Sequence, residues 1–286
     1  MGKKTQKFDA RQRMKSKTFE IFHYRDEHFK SVSIHHHDFY EIYFFIGGNV
    51  SYLVEGEHYR LNRGDILLIS PMELHQPIAN EDEPYERIVL WIDRGYLASL
   101  CSGKADLSAC FFADKENHIN LLHSNAMMRG RITELFELLN REAHSGSFAS
   151  EAYANGLIIQ LLVEINRMSH QKKTSPQRRE TQSLANQITS YINLHYSEDI
   201  SLDLLAKKFF VSKYYLSHEF SQSIGIGIYR YLTLKRLTIA KELLTEGLSA
   251  NEVCSACGFH NYTTFYRIFK SEYGISPGKF AEQAKG

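Results

Sequence analysis

The last third of the chain carries the same helical pattern twice. Residues 201–220 (SLDLLAKKFFVSKYYLSHEF) and residues 249–269 (SANEVCSACGFHNYTTFYRIF) each predict two short helices joined by a tight turn. Residues 229–246, which lie between them, predict a single longer helix. An internal repeat constrains architecture strongly, because one connecting helix then holds two helix-turn-helix units. Their second helices would share one face, which suits successive turns of a DNA major groove.

Both units have helix caps and an outward-facing set of side chains. Ser201 is the expected N-cap of the first unit, and Ser212 that of its second helix. In the second unit Gly258 lies where the turn requires a left-handed backbone, and Asn261 is positioned to cap the helix that follows. The side chains left facing outward are Lys213, Tyr214, Ser217 and His218 in the first unit and Tyr262, Thr263, Tyr266 and Arg267 in the second.

Charge is unevenly distributed along the chain, although its sum is only +1. Residues 18–167 hold twelve Lys/Arg against twenty-two Asp/Glu, whereas residues 168–286 hold fifteen against ten. An acidic segment repels phosphate and a basic one attracts it, so we expect double-stranded DNA at the C-terminal part. Residues 1–17 hold seven Lys/Arg and one Asp. They form a basic N-terminal arm, which either reaches DNA or a partner or is a solvated terminus.

The four cysteines have no disulfide-framework spacing, which is typical of a reducing cytoplasm. Cys254 and Cys257 form a C-x-x-C, but no second pair follows at zinc-finger spacing, so we expect both in the core. No run approaches the roughly 18 apolar residues of a membrane helix, and the first residues lack the apolar stretch of a secretory signal. The sequence therefore predicts a cytoplasmic protein without a membrane partner.

Residues 33 to about 91 predict a β-rich domain, and the residues after it predict helices. Short β-branched and aromatic runs alternate with Gly- and Pro-containing turns, which favours a sandwich or jelly-roll barrel. The runs are IYFFIGG, VSYLVEG, EHYRL, DILLIS and ERIVLWI. From about 125 to 168 the apolar period becomes helical and predicts two antiparallel helices. The second has an apolar stripe wide enough either for a dimer face or for packing on the barrel.

The expected fold class is α+β and multidomain: a cupin-like β-barrel with a helical hairpin, followed by an all-α double helix-turn-helix domain. Residues 169–183 are polar, basic and contain a proline, which predicts a linker. The expected domains are a basic arm at 1–17, a cupin-like effector-binding domain at 18–120, a helical dimerisation region at 121–168, the linker at 169–183 and the DNA-binding domain at 184–286.

A histidine cluster is the main chemical feature of the N-terminal part. His35, His37 and Glu41 have the H-x-H-x(3)-E spacing of the first motif of a cupin barrel, and His75 follows a run resembling the second motif. Alternate residues of a strand point to the same side, so His35 and His37 should both point into the barrel. Three imidazoles and a carboxylate suit Fe, Mn, Ni or Zn.

Two functions fit this cluster: a metal-dependent cupin enzyme fused to a DNA-binding domain, or an effector sensor. The attached helix-turn-helix units favour the sensor, so we expect no catalytic residue, no bound metal and no cofactor. Aromatic faces stack on sugar C–H groups, which favours a mono- or oligosaccharide effector, although the same aromatic residues would also serve as plain core. The expected effector-binding residues are His35, His37, Glu41, Tyr43, Tyr52, His75 and Trp91.

Residues from about 184 to 281 resemble the C-terminal domain of the AraC/XylS family of bacterial transcription regulators. Phe210 departs from the family pattern, since glycine is usual in that turn. The matching strings are S-L-x-x-L-A at 201–206, S-x-x-Y-L-S-x-x-F at 212–220, Y-R-Y-L at 229–232, R-L-x-x-A-K-x-L-L at 236–244, G-F-x-N-Y-T-x-F-x-R-x-F-K at 258–270 and Y-G-I-S-P at 273–277.

The resemblance implies a DNA-binding regulator that contacts RNA polymerase as an activator and forms a homodimer, with repression left open. It places base-reading side chains on both second helices. We expect Ser212 and Lys213 to hold phosphates instead. The base-reading positions implied by the resemblance are Tyr214, Ser217, His218, Tyr262, Thr263, Tyr266 and Arg267, and Asn261 caps the second of these helices.

Overall fold

A computed structural model of the chain describes residues 13–29, 32–80, 82–101, 105–112, 120–172 and 183–284. The chain divides into two compact units, residues 1–178 and residues 179–286. Most of the predicted basic arm and of the predicted linker lies outside the described residues. No helix in the described ranges is long and apolar enough to cross a membrane.

The first unit is built on two antiparallel sheets. Eight strands are found within the described ranges: β1 Phe19–Asp26, β2 Tyr40–Gly47, β3 Val50–Val54, β4 Glu57–Arg60, β5 Ile66–Ile69, β6 His75–Ala79, β7 Tyr85–Ile92 and β8 Leu121–Leu122. One sheet has the order β1-β7-β2-β5-β8, and the other has the order β4-β3-β6. All paired strands run antiparallel, which agrees with the predicted β-rich domain.

All five predicted runs form strands, but β1, β6 and β8 were not predicted. Strand β6 contains Pro77, which argues against a central strand, and β6 in fact lies at the edge of its sheet. Strand β8 has only two residues and depends on its pairing with β5. Strand β1 precedes the segment for which the sequence predicts a β-rich domain, and it pairs along its whole length with β7.

The larger sheet has a hydrophobic core on each side. Successive residues of β2 alternate between them: Ile42 and Phe44 belong to one core, and Tyr43 and Phe45 to the other. Because both faces are covered, the first six residues of β2 are all buried. The core that contains Tyr43 also includes residues of the smaller sheet, such as Tyr52 and Val54 in β3.

Helices of the first unit cover the other face of the larger sheet. They are α1 Arg94–Leu100, a 3₁₀ turn at Ala109–Phe111, α2 Ala126–Glu142 and α3 Ser150–Lys172. The apolar stripe of α3, which comprises Leu157, Ile158, Leu161, Leu162 and Ile165, is buried in the core that contains Ile42 and Phe44. The sequence left open whether this stripe forms a dimer face or packs on the barrel, and in the structure it packs within the chain. Helix α3 also includes the first four residues of the predicted linker, since no Gly or Pro occurs there to end it.

The second unit is entirely helical over the residues described. Its helices are α4 Leu184–His195, α5 Leu202–Lys208, α6 Lys213–Ile224, α7 Ile228–Thr245, α8 Ala250–Ala256, α9 Tyr262–Tyr273 and α10 Pro277–Ala284. Helices α5–α6 and α8–α9 form the two predicted helix-turn-helix units, with α7 between them. Cys254 and Cys257 are buried in the core of the second unit, as expected, and both are free thiols.

Candidate functional site

The predicted histidine cluster forms in the first unit, next to the core shared by its two sheets. His35 and His75 exchange backbone hydrogen bonds of 3.0 and 2.8 Å, and their ring centroids lie 4.3 Å apart. The ring of His37 lies 4.7 Å from that of His75. The Nε2 atom of His37 is 3.3 Å from Oε2 of Glu41. One ligand atom from each of His37, Glu41 and His75 lies within 4.8 Å of the others.

Backbone carbonyl groups determine which ring nitrogen of these histidines carries the proton. The Nδ1 atoms of His35, His37 and His75 lie 2.9, 2.9 and 2.8 Å from the carbonyl oxygens of Ser33, Phe39 and Glu73. Since a carbonyl oxygen only accepts, each Nδ1 donates, and each neutral ring keeps its lone pair on Nε2. The Nε2 atom of His75 is fully buried and has no hydrogen-bond partner in the described parts of the chain.

The cluster combines two imidazoles that burial keeps neutral, those of His35 and His75, with one charged carboxylate. Burial lowers the pKa of His75 well below its usual value, and the neighbouring His35 and His37 lower it further. Burial likewise lowers the pKa of His35. Burial alone raises the pKa of Glu41, but contacts with His37, His35 and Trp91 outweigh it and leave that pKa below normal. The indole Nε1 of Trp91 donates a 2.8 Å hydrogen bond to Oε2 of Glu41 and so fixes the carboxylate.

The predicted aromatic residues form a wall beside the cluster. The ring of Tyr52 stacks on His75 at 6.3 Å and meets Tyr43 edge-on at 5.2 Å. Burial raises the pKa of both tyrosines well above 10, so both phenols remain protonated donors. Trp91 packs against Phe39 at 4.7 Å. All seven predicted effector-binding residues therefore lie in one region, and only His35 among them is more than slightly exposed.

Arg87 is a buried charge on the same side of the sheet that the sequence analysis missed. Its guanidinium lies 4.1 Å from the ring centroid of Tyr85 and 4.9 Å from those of Tyr24 and Phe29. Its Nη1 atom donates to the carboxylate of Asp26. An arginine inside the apolar run ERIVLWI was the available signal, because a charged residue in a fully buried strand requires partners.

The two predicted recognition helices, α6 and α9, have the same construction. Each is 12 residues long and ends in a left-handed glycine, Gly225 and Gly274. The Ser212 side chain accepts a hydrogen bond from the backbone N–H of Tyr215, and that of Asn261 accepts one from Thr264. Both side chains therefore already cap their helices.

The predicted DNA-contacting side chains lie on the outer surface of α6 and α9, with one difference. Ser217 is half-buried, because it lies directly after the core residue Leu216. The Nζ atom of Lys213 forms a 2.7 Å ion pair with Asp203, so this predicted phosphate contact already has a partner in the protein. The exposed members of the predicted set are Ser212, Lys213, Tyr214, His218, Asn261, Tyr262, Thr263, Tyr266 and Arg267.

The turns that precede α6 and α9 have the same backbone conformation but different residues. Phe210 has a φ of +56° and its side chain is 95% exposed. Gly258 has a φ of +74°. A Cβ atom at position 258 would lie only 2.7 Å from the carbonyl carbon of Ser197. The second turn therefore requires glycine for space as well as for conformation, whereas the first tolerates a side chain directed into solvent.

Two family models match the chain, and they correspond to its two units. The AraC-like ligand binding domain matches residues 19–162, and the helix-turn-helix domain matches residues 205–283. The HTH-type transcriptional activator RhaS of Salmonella schwarzengrund (strain CVM19633) is 24% identical over 245 residues, which is 85% of each chain.

The chain is also similar to two solved structures. Unsaturated fatty acid bound ToxT from Vibrio cholerae strain SCE256 covers 94% of this chain and 96% of its own, at 16% identity and a TM-score of 0.40. The C-terminal domain of AraT from Geobacillus stearothermophilus is 30% identical, covers 36% of this chain and 86% of its own, and has a TM-score of 0.35. Since the ligand-binding model alone spans half of the chain, the chain belongs to the AraC family of helix-turn-helix transcription regulators with an AraC-like ligand-binding domain.

Proposed function

We propose that this regulator is a homodimeric transcription activator that responds to a sugar bound in its first unit. The observation that carries the DNA-binding part is the matched construction of α6 and α9. Two capped helices of equal length, each with an exposed outer surface, are suited to read two segments of major groove. The activator role is supported by the relative RhaS, whose name describes a transcriptional activator.

The outward side chains divide into base-reading and phosphate-binding groups. Arg267 has the planar donor pair that suits O6 and N7 of guanine, while Thr263 can bond either base. Tyr262 and Tyr266 add hydroxyl groups and an apolar surface for thymine methyl groups. Lys213 and the N-terminus of α6 bind phosphates, which sets the register without selecting sequence.

The effector proposal rests on the chemistry of the region around the cluster. Stacked aromatic rings next to imidazole, phenol and carboxylate groups offer both an apolar surface and hydrogen bonds, which is the combination that a hydroxyl-rich sugar needs. Binding there would change how the ligand-binding domains of a dimer hold its DNA-binding domains. The affinity for paired DNA sites would then depend on the effector, as linkage requires. In this proposal the protein acts in the cytoplasm, where it contacts RNA polymerase.

Selection of chromosomal fragments by the purified full chain, with and without a panel of sugars, tests this function. We expect enrichment of a few discrete sites and a change in that enrichment with one sugar. The genes beside those sites would identify the pathway. Enrichment no greater than that obtained with a Lys213→Ala/Arg267→Ala variant would contradict sequence-specific binding, and enrichment unaffected by any sugar would contradict the effector class.

Light scattering coupled to gel filtration tests the dimer separately. Because the apolar stripe of α3 is buried within the chain, a second copy would have to use its outer side, where Tyr153 and Ile159 are exposed. We expect a mass twice that of one chain and a monomeric Ile159→Glu variant. A monomeric wild-type protein at micromolar concentration would contradict the dimer.

A further inference from the structure

We propose that the first unit binds one divalent transition-metal ion, held by Nε2 of His37, Nε2 of His75 and the carboxylate of Glu41. This reverses the expectation from the sequence that the cluster binds no metal. It goes beyond the proposed regulatory function and does not depend on a sugar being the effector.

The first support is the set of lone pairs that face one another. Three imidazoles have their Nδ1 protons directed at backbone carbonyls, which leaves Nε2 as the only available donor atom of each ring. The Nε2 atom of His75 is fully buried and has no partner within the described residues. A buried polar atom without a partner is unfavourable, and a metal ion in this position would satisfy it.

The second support is distance. The three ligand atoms lie within 4.8 Å of one another. In a tetrahedral site with bonds of about 2.1 Å, ligand atoms are separated by about 3.4 Å. The Nε2 atom of His37 and Oε2 of Glu41 already lie 3.3 Å apart. Closing the site therefore requires the His75 ring and this pair to approach one another by up to about 1.4 Å, which rotations about their χ angles can supply.

The third support is the arrangement around the ligands. Metal-binding histidines usually donate their other N–H to a carbonyl or carboxylate, and ligating carboxylates are themselves hydrogen-bonded. Here the carbonyls of Phe39 and Glu73 hold the rings of His37 and His75, and the indole of Trp91 holds Glu41. These contacts orient all three ligands before an ion arrives.

The donor set indicates the class of ion. Two imidazoles and one carboxylate suit Fe, Mn, Co, Ni or Zn, whereas Mg²⁺ and Ca²⁺ prefer oxygen ligands throughout. The single negative charge of Glu41 offsets half of the charge of a divalent cation. Three protein ligands leave coordination positions open, and His35, whose ring lies 4.3 Å from that of His75, borders them. An oxygen atom of an effector or of water would fill the remaining positions.

Cobalt binding to the untagged full chain tests the proposal. Protein prepared without chelators is first analysed for bound metal, then stripped and titrated with Co²⁺ while visible absorption and heat of binding are recorded. We expect one Co²⁺ per chain and a rise in the thermal unfolding midpoint, since binding only to the folded state stabilises it. The variants His75→Gln and Glu41→Gln should each bind at least about 10- to 100-fold more weakly, which is the cost of losing a group that only supports a ligand.

The matched control is His23→Gln. His23 is also a buried histidine of the first unit, with its Nε2 atom 2.8 Å from Glu86, but it lies outside the cluster. We expect this variant to bind Co²⁺ like the wild type, and circular dichroism would verify that each variant folds. If the wild type binds Co²⁺ no more tightly than a His37→Gln/His75→Gln variant, or binds less than a tenth of an equivalent, the proposal is wrong. Selection of chromosomal DNA fragments with the metal-stripped protein separates this proposal from the proposed regulatory function. The selection measures DNA binding without metal, so a failure to bind Co²⁺ would contradict only the metal site, and a failure to enrich DNA sites would contradict only the regulatory function.

Discussion

Arg267 and Lys213 represent the two ways in which we propose that an exposed cation of this protein contacts DNA. Arg267 lies in the second turn of α9, where a guanidinium can donate two hydrogen bonds to a guanine edge. Lys213 is the first residue of α6, where the helix N-terminus also attracts a phosphate. The first proposed contact depends on the DNA sequence and the second does not, so substitutions of the two residues should have different effects.

Replacing Arg267 by Ala should weaken binding to the cognate site and leave binding to random DNA nearly unchanged. A lost bidentate contact costs about 1–3 kcal/mol, which corresponds to about 5- to 150-fold in affinity. Fluorescence anisotropy with both DNAs at one salt concentration measures the difference. Equal losses on the two DNAs would exclude a base-reading role for Arg267.

Replacing Lys213 by Ala should instead weaken binding to both DNAs by a similar factor. The slope of log affinity against log salt concentration should fall by about 1, because one phosphate contact is lost. Asp203 holds Lys213 in a 2.7 Å ion pair in the protein. Asp203→Asn should therefore strengthen binding to both DNAs, and an unchanged or lower affinity in that variant would show that the pair does not compete with phosphate.

The two helix-turn-helix turns differ in what their backbone conformation demands. Both Phe210 and Gly258 have positive φ, a region that costs a residue with a Cβ about 1–2 kcal/mol. At 210 the side chain extends into solvent, whereas at 258 the chain runs against the backbone of Ser197. Arg236 of α7 donates hydrogen bonds of 2.7 and 2.8 Å to the carbonyls of Tyr196 and Glu198, so the segment around Ser197 is itself fixed.

Gly258→Ala should destabilise the second helix-turn-helix unit by about 3 kcal/mol, because strain and a clash with the fixed backbone add. Phe210→Gly should stabilise the first helix-turn-helix unit by up to about 1 kcal/mol, because only backbone strain is removed. Hydrogen exchange measured peptide by peptide reports the two helix-turn-helix units separately. Exchange should become faster in α8 and α9 for the first variant and slower in α5 and α6 for the second. Slower exchange in α8 and α9 after Gly258→Ala would contradict the steric argument.

The division of the whole chain into two units leads to a prediction about modularity. Residues 179–286 contain both helix-turn-helix units and their own hydrophobic cores. We expect this fragment alone to bind the cognate site, with weaker affinity than the full chain and no response to the effector. Gel-shift titrations of the two proteins on one DNA provide the measurement. A fragment that folds, as judged by circular dichroism, and yet binds no site recognised by the full chain would show that the first unit is needed to form the DNA-binding surface.

Local chemistry explains which parts of this fold could be predicted. The caps Ser201, Ser212 and Asn261 are present as expected, because a cap depends on a side chain and the backbone two or three residues away. The positive φ at Gly258 follows from its place in a short turn. Strands built from β-branched and aromatic runs between Gly- and Pro-containing turns were also predictable. In contrast, β6 and β8 became strands only through their partners, since a proline and a length of two residues give no local preference.

The candidate site shows the same division between local pattern and long-range contact. The spacing of His35, His37 and Glu41 was sufficient to predict that they belong together, because side chains near one strand alternate in direction. It could not show that Glu41 lies among the donor atoms of His37 and His75 while His35 remains beside them. That arrangement requires β6 to pair with the segment containing His35, and it requires Trp91 to cross from β7 to Glu41. Residue types, caps and periodicity specify the elements, whereas pairing between distant strands positions the donor atoms, because a coordination sphere depends on distances that no local preference encodes.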